Sequence, residues 1–109
     1  MINRIFVYGT LAPGRPNAHV LGHLVGSWLN ATIRGHLVQA GWGAEQGYPG
    51  VVIDAKGGVV EGFILSSEGL QHEWQRLDEF EGEQYQRVVT KASLKDGQLV
   101  DVYVYQLRR

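Results

Sequence analysis

Fifteen of the 109 residues are glycine, spread along the chain rather than gathered in one segment. That is about twice the ordinary share. Glycine admits positive φ and close backbone approach, and it weakens helix interiors, so the excess points to turns, bulges and many short strands rather than a helical bundle. The apolar pattern agrees. Ile5-Phe6-Val7-Tyr8 is a short buried-strand pattern stopped by Gly9, and the stretch from Gly9 to Pro16, with two glycines and two prolines, is a loop. Asn17 can cap a short helix through Val20, Leu21 and Leu24, ending near Gly26. Trp28 to Val38 reads as a strand in which Gly35 marks a bulge or close contact, and Ala40 to Gly50 is the longest irregular segment.

Val51-Val52-Ile53 and Val59 to Leu65 read as strands paired across the turn Asp54 to Gly58. Ser66 or Ser67 then caps the main helix, whose Leu70, Trp74, Leu77 and Phe80 form one apolar stripe. Arg87 to Leu94 and Leu99 to Leu107 are strands joined through Asp96-Gly97, a strong hairpin signal. One domain spanning 1–109 is expected, of α+β class, with a mostly antiparallel sheet curled toward a barrel.

Composition narrows the chemistry. Apolar residues at 44% and charged residues at 19% fit a globular chain. Ten basic against eleven acidic side chains give a charge of −1, which lacks the basic excess of a nucleic-acid or anionic-membrane partner. No apolar run has the length of a membrane span, and Met1-Ile2-Asn3-Arg4 leads into a strand without a signal peptide, so a cytoplasmic protein is expected. Without cysteine there is no disulfide, thiolate metal site or cysteine nucleophile.

Several motifs fail on inspection. Gly9 and Gly14 have the spacing of a phosphate-binding loop, but Arg15-Pro16 stands where lysine and a hydroxyl residue are required. His19 and His23 could share a helix face, yet a third ligand is missing, so no metal and no cofactor are expected. None of the four serines sits in a nucleophile elbow; Ser66 and Ser67 read as caps, Ser27 and Ser93 as strand residues. What remains is the acidic group Asp78, Glu79, Glu81 and Glu83 at the end of the main helix. Read alone, it is either a solvated acidic helix end or a carboxyl prepared for proton transfer, since like charges and burial both raise a carboxyl pKa. An inward Phe80 would carry Glu81 close to the core and favours Glu81 over Glu83 as the working acid.

Phe6-Val7-Tyr8-Gly9-Thr10-Leu11, followed by Gly14 and Asn17, resembles the opening signature of the gamma-glutamylcyclotransferase-like family. Tyr48-Pro49-Gly50, Val60-Glu61-Gly62, Leu77-Asp78-Glu79-Phe80-Glu81-Gly82, Tyr85 and Arg87 match its later landmarks in order. The resemblance implies a small distorted barrel flanked by short helices, with a cavity at one end. It implies substrate binding by the main chain of Tyr8, Gly9, Thr10 and Leu11, with Tyr85 beside them, and proton transfer by Glu81. The implied reaction releases 5-oxoproline from a small gamma-glutamyl amine or amide.

Ring closure of that kind uses the substrate's own α-amine, so a chain without a nucleophile is sufficient; one carboxyl with a raised pKa can take and return the proton. Loop amides at Gly9, Thr10 and Leu11 could form an anion-binding nest. On the residues alone, Thr10 also reads as a turn residue and Tyr8 as the last core residue of its strand. Tyr85 follows Glu81 after only Gly82-Glu83-Gln84, a short spacer that limits its reach. The chain's end at Arg109 is expected to leave no lid, a monomer is expected, and the amine half of the substrate stays open. The competing reading is a binding module with the same cavity and no turnover; a partner surface using Trp28 or Trp42 is weaker, since core packing accounts for both.

Overall fold

A computed structural model describes residues 2–40, 47 and 49–108. Its elements in chain order are β1 (Arg4–Val7), a 3₁₀ turn (Ala18–Val20), β2 (Ser27–Val38), β3 (Gly50–Ile53), β4 (Gly58–Ser66), a 3₁₀ segment (Glu68–His72), α1 (Trp74–Glu81), β5 (Tyr85–Leu94) and β6 (Leu99–Leu107). The strands form one sheet in the order β3-β2-β4-β1-β6-β5. Closure comes from β2, which also pairs with β5 at Ala31–Leu94 and Thr32–Ser93, making β2, β4, β1, β6 and β5 a five-stranded barrel. Every pairing is antiparallel except β1 with β6. The expected class, α+β with a mostly antiparallel barrel and short helices, is the observed one.

The two-residue period of β1 places it between two cores. Ile5 and Val7 join Leu21, Leu65, Leu70 and Leu77 under the helical segments, while Phe6 packs inside the barrel with Ile33, Ile64, Val102 and Val104. Gly62 makes room for this: a Cβ there would stand 2.4 Å from the Val7 carbonyl oxygen and 2.6 Å from the Phe6 ring.

Three local expectations are corrected. Strands β3 and β4 do not pair with each other. The twelve-residue β2 lies between them, taking β3 along Gly35–Val38 and β4 along Ser27–Gly35, and the Asp54–Gly58 connection crosses β2 where Gly35 has no side chain. The Asn17 side chain makes no capping bond, and the element it precedes is a single 3₁₀ turn; His23 lies beyond that turn and meets Glu73. The main helix is two segments, and its apolar stripe runs through Leu70, Trp74 and Leu77 but not Phe80. The 3₁₀ part, capped by Ser67 through Gly69 N–H, turns every three residues; α1 begins at Trp74. Leu77 and Glu81 are then the buried positions of α1, and Phe80, expected inward, is 36% exposed. Trp28 is likewise 38% exposed rather than a core residue, and Trp42 lies outside the described residues.

Candidate active site

Where β1 ends, the chain turns back on itself through bonds that use its carbonyls. Ala12 N–H donates to the Gly9 carbonyl at 3.1 Å and Asn17 N–H to the Thr10 carbonyl at 2.8 Å. Among the described residues, the N–H groups of Gly9, Thr10 and Leu11 have no backbone acceptor. Successive free amides of this kind form a concavity suited to an anion.

Opposite the loop, α1 stops at Glu81 because Gly82 takes φ +81°, a conformation suited to glycine. The turn is closed by Tyr85 N–H donating to the Gly82 carbonyl at 3.3 Å, which starts β5 immediately and returns Tyr85 beside Glu81. The short spacer therefore does not keep Tyr85 away. Tyr8, Gly9, Thr10, Leu11, Glu81 and Tyr85 line one cleft, together with Phe6, Val7, Pro49 and Tyr105, with about 430 Å³ of empty space counting its open mouth. Glu79 and Glu83 are exposed and do not line it. Tyr48 lies outside the described residues.

Glu81 is 7% exposed, and burial pushes its carboxyl up from 4.5 to about 7. Such a group is divided between acid and base near neutrality, the condition for moving a proton both ways. It sits there through its own place on the α1 stripe, not because Phe80 drags it inward.

Two tyrosines of the cleft, Tyr8 and Tyr105, have hydroxyls bonded to other groups. Tyr8 Oη donates to the Tyr105 carbonyl at 2.9 Å and accepts from Val51 N–H at 3.1 Å. Burial pushes this hydroxyl up, the Val51 bond opposes the rise, and the nearby Glu81 charge adds to it. Tyr105 Oη donates to Asp78 Oδ1 at 2.6 Å. Burial, then the bond to Asp78, push Tyr105 up as well, so both phenols keep their protons. The Tyr8 hydroxyl is thus a structural tie, and what the loop offers a ligand is its main chain.

Asp78 works against Glu81 in sign. Burial disfavours its charge, but hydrogen bonds from Arg87 and Tyr105 outweigh that and hold the carboxyl below its usual range. Arg87 grips it with Nε at 2.9 Å from Oδ1 and a terminal nitrogen at 3.3 Å from Oδ2. The guanidinium carbon lies 4.8 Å from the Trp74 ring centre and 4.5 Å from that of Tyr103, and these two rings meet each other edge to face at 4.8 Å, so the cation rests on an aromatic pair. Sequence reasoning missed Tyr105. Its only trace was the alternation of β6, which sends Val102 and Val104 into the barrel and Tyr105 to the opposite face, where a buried phenol needs a partner.

Among solved structures, the chain is similar to YkqA of Bacillus subtilis, with TM-score 0.75 and 25% identity over 99% of its length. It spans only 36% of YkqA. It is also similar to an AIG2-like protein of Mus musculus, with TM-score 0.72 and 29% identity, covering 96% of this chain and 76% of that one. A protein named gamma-glutamyl cyclotransferase shares the fold at TM-score 0.67 and 14% identity, covering 97% of this chain and 66% of that one. No curated protein sequence matches the chain. The family model described as gamma-glutamyl cyclotransferase, AIG2-like, matches residues 5–109, from the first buried strand to the end of the chain, and so the chain belongs to that family.

Proposed function

We propose that the protein is a cyclotransferase that releases 5-oxoproline from a small gamma-glutamyl amine or amide. The observation that carries this reading is one cleft with free loop amides on one wall and a buried carboxyl near neutral pKa on another. Family membership supports it.

In this reading the Gly9, Thr10 and Leu11 amides hold the substrate's anionic group and the oxyanion that develops at the γ-carbonyl. Glu81 accepts a proton from the α-ammonium, and the freed amine attacks the γ-carbonyl carbon. A C–N bond forms and an electron pair moves onto the oxygen. Protonated Glu81 then gives its proton to the departing nitrogen as the old C–N bond breaks and the carbonyl re-forms. The surplus proton on the ring nitrogen passes to the Glu81 carboxylate and leaves with the amine product. The chain supplies no nucleophile, because holding the two ends of one molecule in contact is itself worth about 7–11 kcal/mol of barrier.

The test is a panel of gamma-glutamyl compounds (dipeptides, gamma-glutamyl-lysine and glutathione) with 5-oxoproline detected by mass spectrometry. Product from at least one compound, lost in Glu81→Gln with the fold retained, is the expected result. Saturable binding without product would replace the reading with a binding module, and undiminished turnover in Glu81→Gln would remove Glu81 from it.

A further inference from the structure

The two walls of the cleft are joined by a chain of hydrogen bonds, running from the cleft at Tyr105 out to the surface at Asp78, that the proposed reaction does not itself use. It begins at Tyr8, the residue before the amide loop, whose hydroxyl reaches the main chain of Tyr105 at 2.9 Å. It continues through the Tyr105 ring to Asp78 at 2.6 Å, one helical turn before Glu81. It ends at Arg87, held by two bonds to Asp78 and by the faces of Trp74 and Tyr103. We infer that this bridge sets the separation between the loop amides and Glu81, and that Tyr105 and Asp78 are positioning residues for the cyclisation. The inference rests on the cyclotransferase reading.

The physical case is one of stiffness. Loop and helix lie far apart in sequence. Arg76 of α1 ties the far part of this segment by donating to the Val20 carbonyl at 3.0 Å, and the bridge is the tie at the end that carries the amides. The side-chain links are hydrogen bonds of 2.6–3.3 Å, and the last member is held twice: Arg87 is bidentate on Asp78 and rests against the paired Trp74 and Tyr103 rings. Asp78 is held charged by the same partners, which strengthens its bond to Tyr105 Oη. Tyr105 has both ends engaged, its carbonyl by Tyr8 and its hydroxyl by Asp78, so a displacement on one wall is carried to the other. A misplacement of about 1 Å in such a site costs on the order of 10²-fold in rate.

A bridge predicts a kinetic pattern that a purely structural bond does not. The loop still grips the substrate when the bridge is cut, but Glu81 is no longer held at the right distance from it. Tyr105→Phe keeps the ring and the carbonyl that Tyr8 uses, and removes only the bond to Asp78. Its kcat is expected to fall at least about 10-fold, with KM within about twofold and the thermal midpoint of a folded protein. Asp78→Asn keeps the shape and an acceptor but releases Arg87; it is expected to show the same split, and it carries the test should Tyr105→Phe not fold. The double variant is expected to be no slower than the worse single one, since a bridge is cut only once.

An unchanged kcat in a folded Tyr105→Phe or Asp78→Asn protein overturns the bridge. So does a rise in KM at constant kcat, which would make Tyr105 a binding residue, or fully additive losses in the double variant. These outcomes leave wild-type turnover, and hence the cyclotransferase reading, standing. Absence of 5-oxoproline from the wild-type protein across the whole panel overturns that reading first and the bridge with it.

Discussion

Asp78 and Glu81 lie three residues apart on α1, yet their surroundings drive the two carboxyls in opposite directions. Asp78 is met by Arg87 and Tyr105 and held charged, whereas Glu81 is buried and pushed up to about 7. Neighbouring acids separated in this way take separate roles. Asp78 secures the helix, and Glu81 is the acid that the proposed reaction uses.

That assignment has a stability consequence. Below pH 4.5 the Glu81 carboxyl is protonated in both folded and unfolded chains, and burial penalises no charge. Between 4.5 and about 7 the unfolded chain releases a proton that the folded protein keeps, so stability falls as pH rises, and above about 7 the whole penalty stands. The gap corresponds to about 3 kcal/mol. Glu81→Gln is therefore expected to be more stable than wild type by up to about 3 kcal/mol at pH 8, with the difference closing toward pH 4. Urea unfolding at a series of pH values measures this; a gain independent of pH would contradict it.

Activity runs the other way. The first proton transfer of the proposed reaction needs the Glu81 carboxylate, so kcat/KM is expected to rise with pH through a midpoint near 7. Glu81→Asp keeps a carboxyl but withdraws it by one methylene, and a loss of about 10²-fold in kcat is expected. A flat profile between pH 5.5 and 8.5 would remove Glu81 from the rate-determining step.

The same residues show what a sequence reveals and what it hides. Strand positions were legible because alternation and glycine turns are local signals: Asp96-Gly97 does close the β5–β6 hairpin, with Gly97 at φ +86°. Pairing between strands was not, because which edge of β2 receives β3 depends on the barrel closing far away in the chain. Glu81 was found from its place in a motif, but the reason first given for its burial was wrong. At about 100° per residue along α1, Glu81 falls close to the Trp74–Leu77 line while Phe80 lies about 120° round from Trp74, so the helix's own period buries the glutamate and exposes the ring. Tyr105 stayed hidden because its partners, Tyr8 and Asp78, are brought to it only by the fold.

Gly82 is the point where local backbone geometry sets the site. At φ +81° and ψ −171° an L side chain is strained, so Gly82→Ala is expected to cost about 1–3 kcal/mol. Nothing lies within 4 Å of the added Cβ, so the cost comes from the backbone and not from a clash. Relief of the strain would rotate the turn that returns Tyr85 beside Glu81, and kcat is expected to fall with stability. At ψ −171° the residue lies outside the left-handed helical region that Asn tolerates, so Gly82→Asn should lose about as much as Gly82→Ala; full recovery in the Asn variant would point away from the backbone as the cause.

Tyr8 separates the structural from the ligand-binding part of the loop. The outer edge of β3 is tied by side chains, Val51 N–H to Tyr8 Oη at 3.1 Å and Ile53 N–H to Gln106 Oε1 at 3.0 Å. Tyr8→Phe leaves the Val51 N–H and the Tyr105 carbonyl without this partner, at about 1–3 kcal/mol for each group that finds no substitute. The expected result is a lower urea midpoint and faster hydrogen exchange at the Val51 amide. Gln106→Leu, which releases only Ile53, should speed exchange at that residue and leave Val51 protected. In the proposed reading the loop binds through its main chain, so KM is expected to move little in Tyr8→Phe. A large rise in KM with stability unchanged would instead make the phenol a substrate ligand.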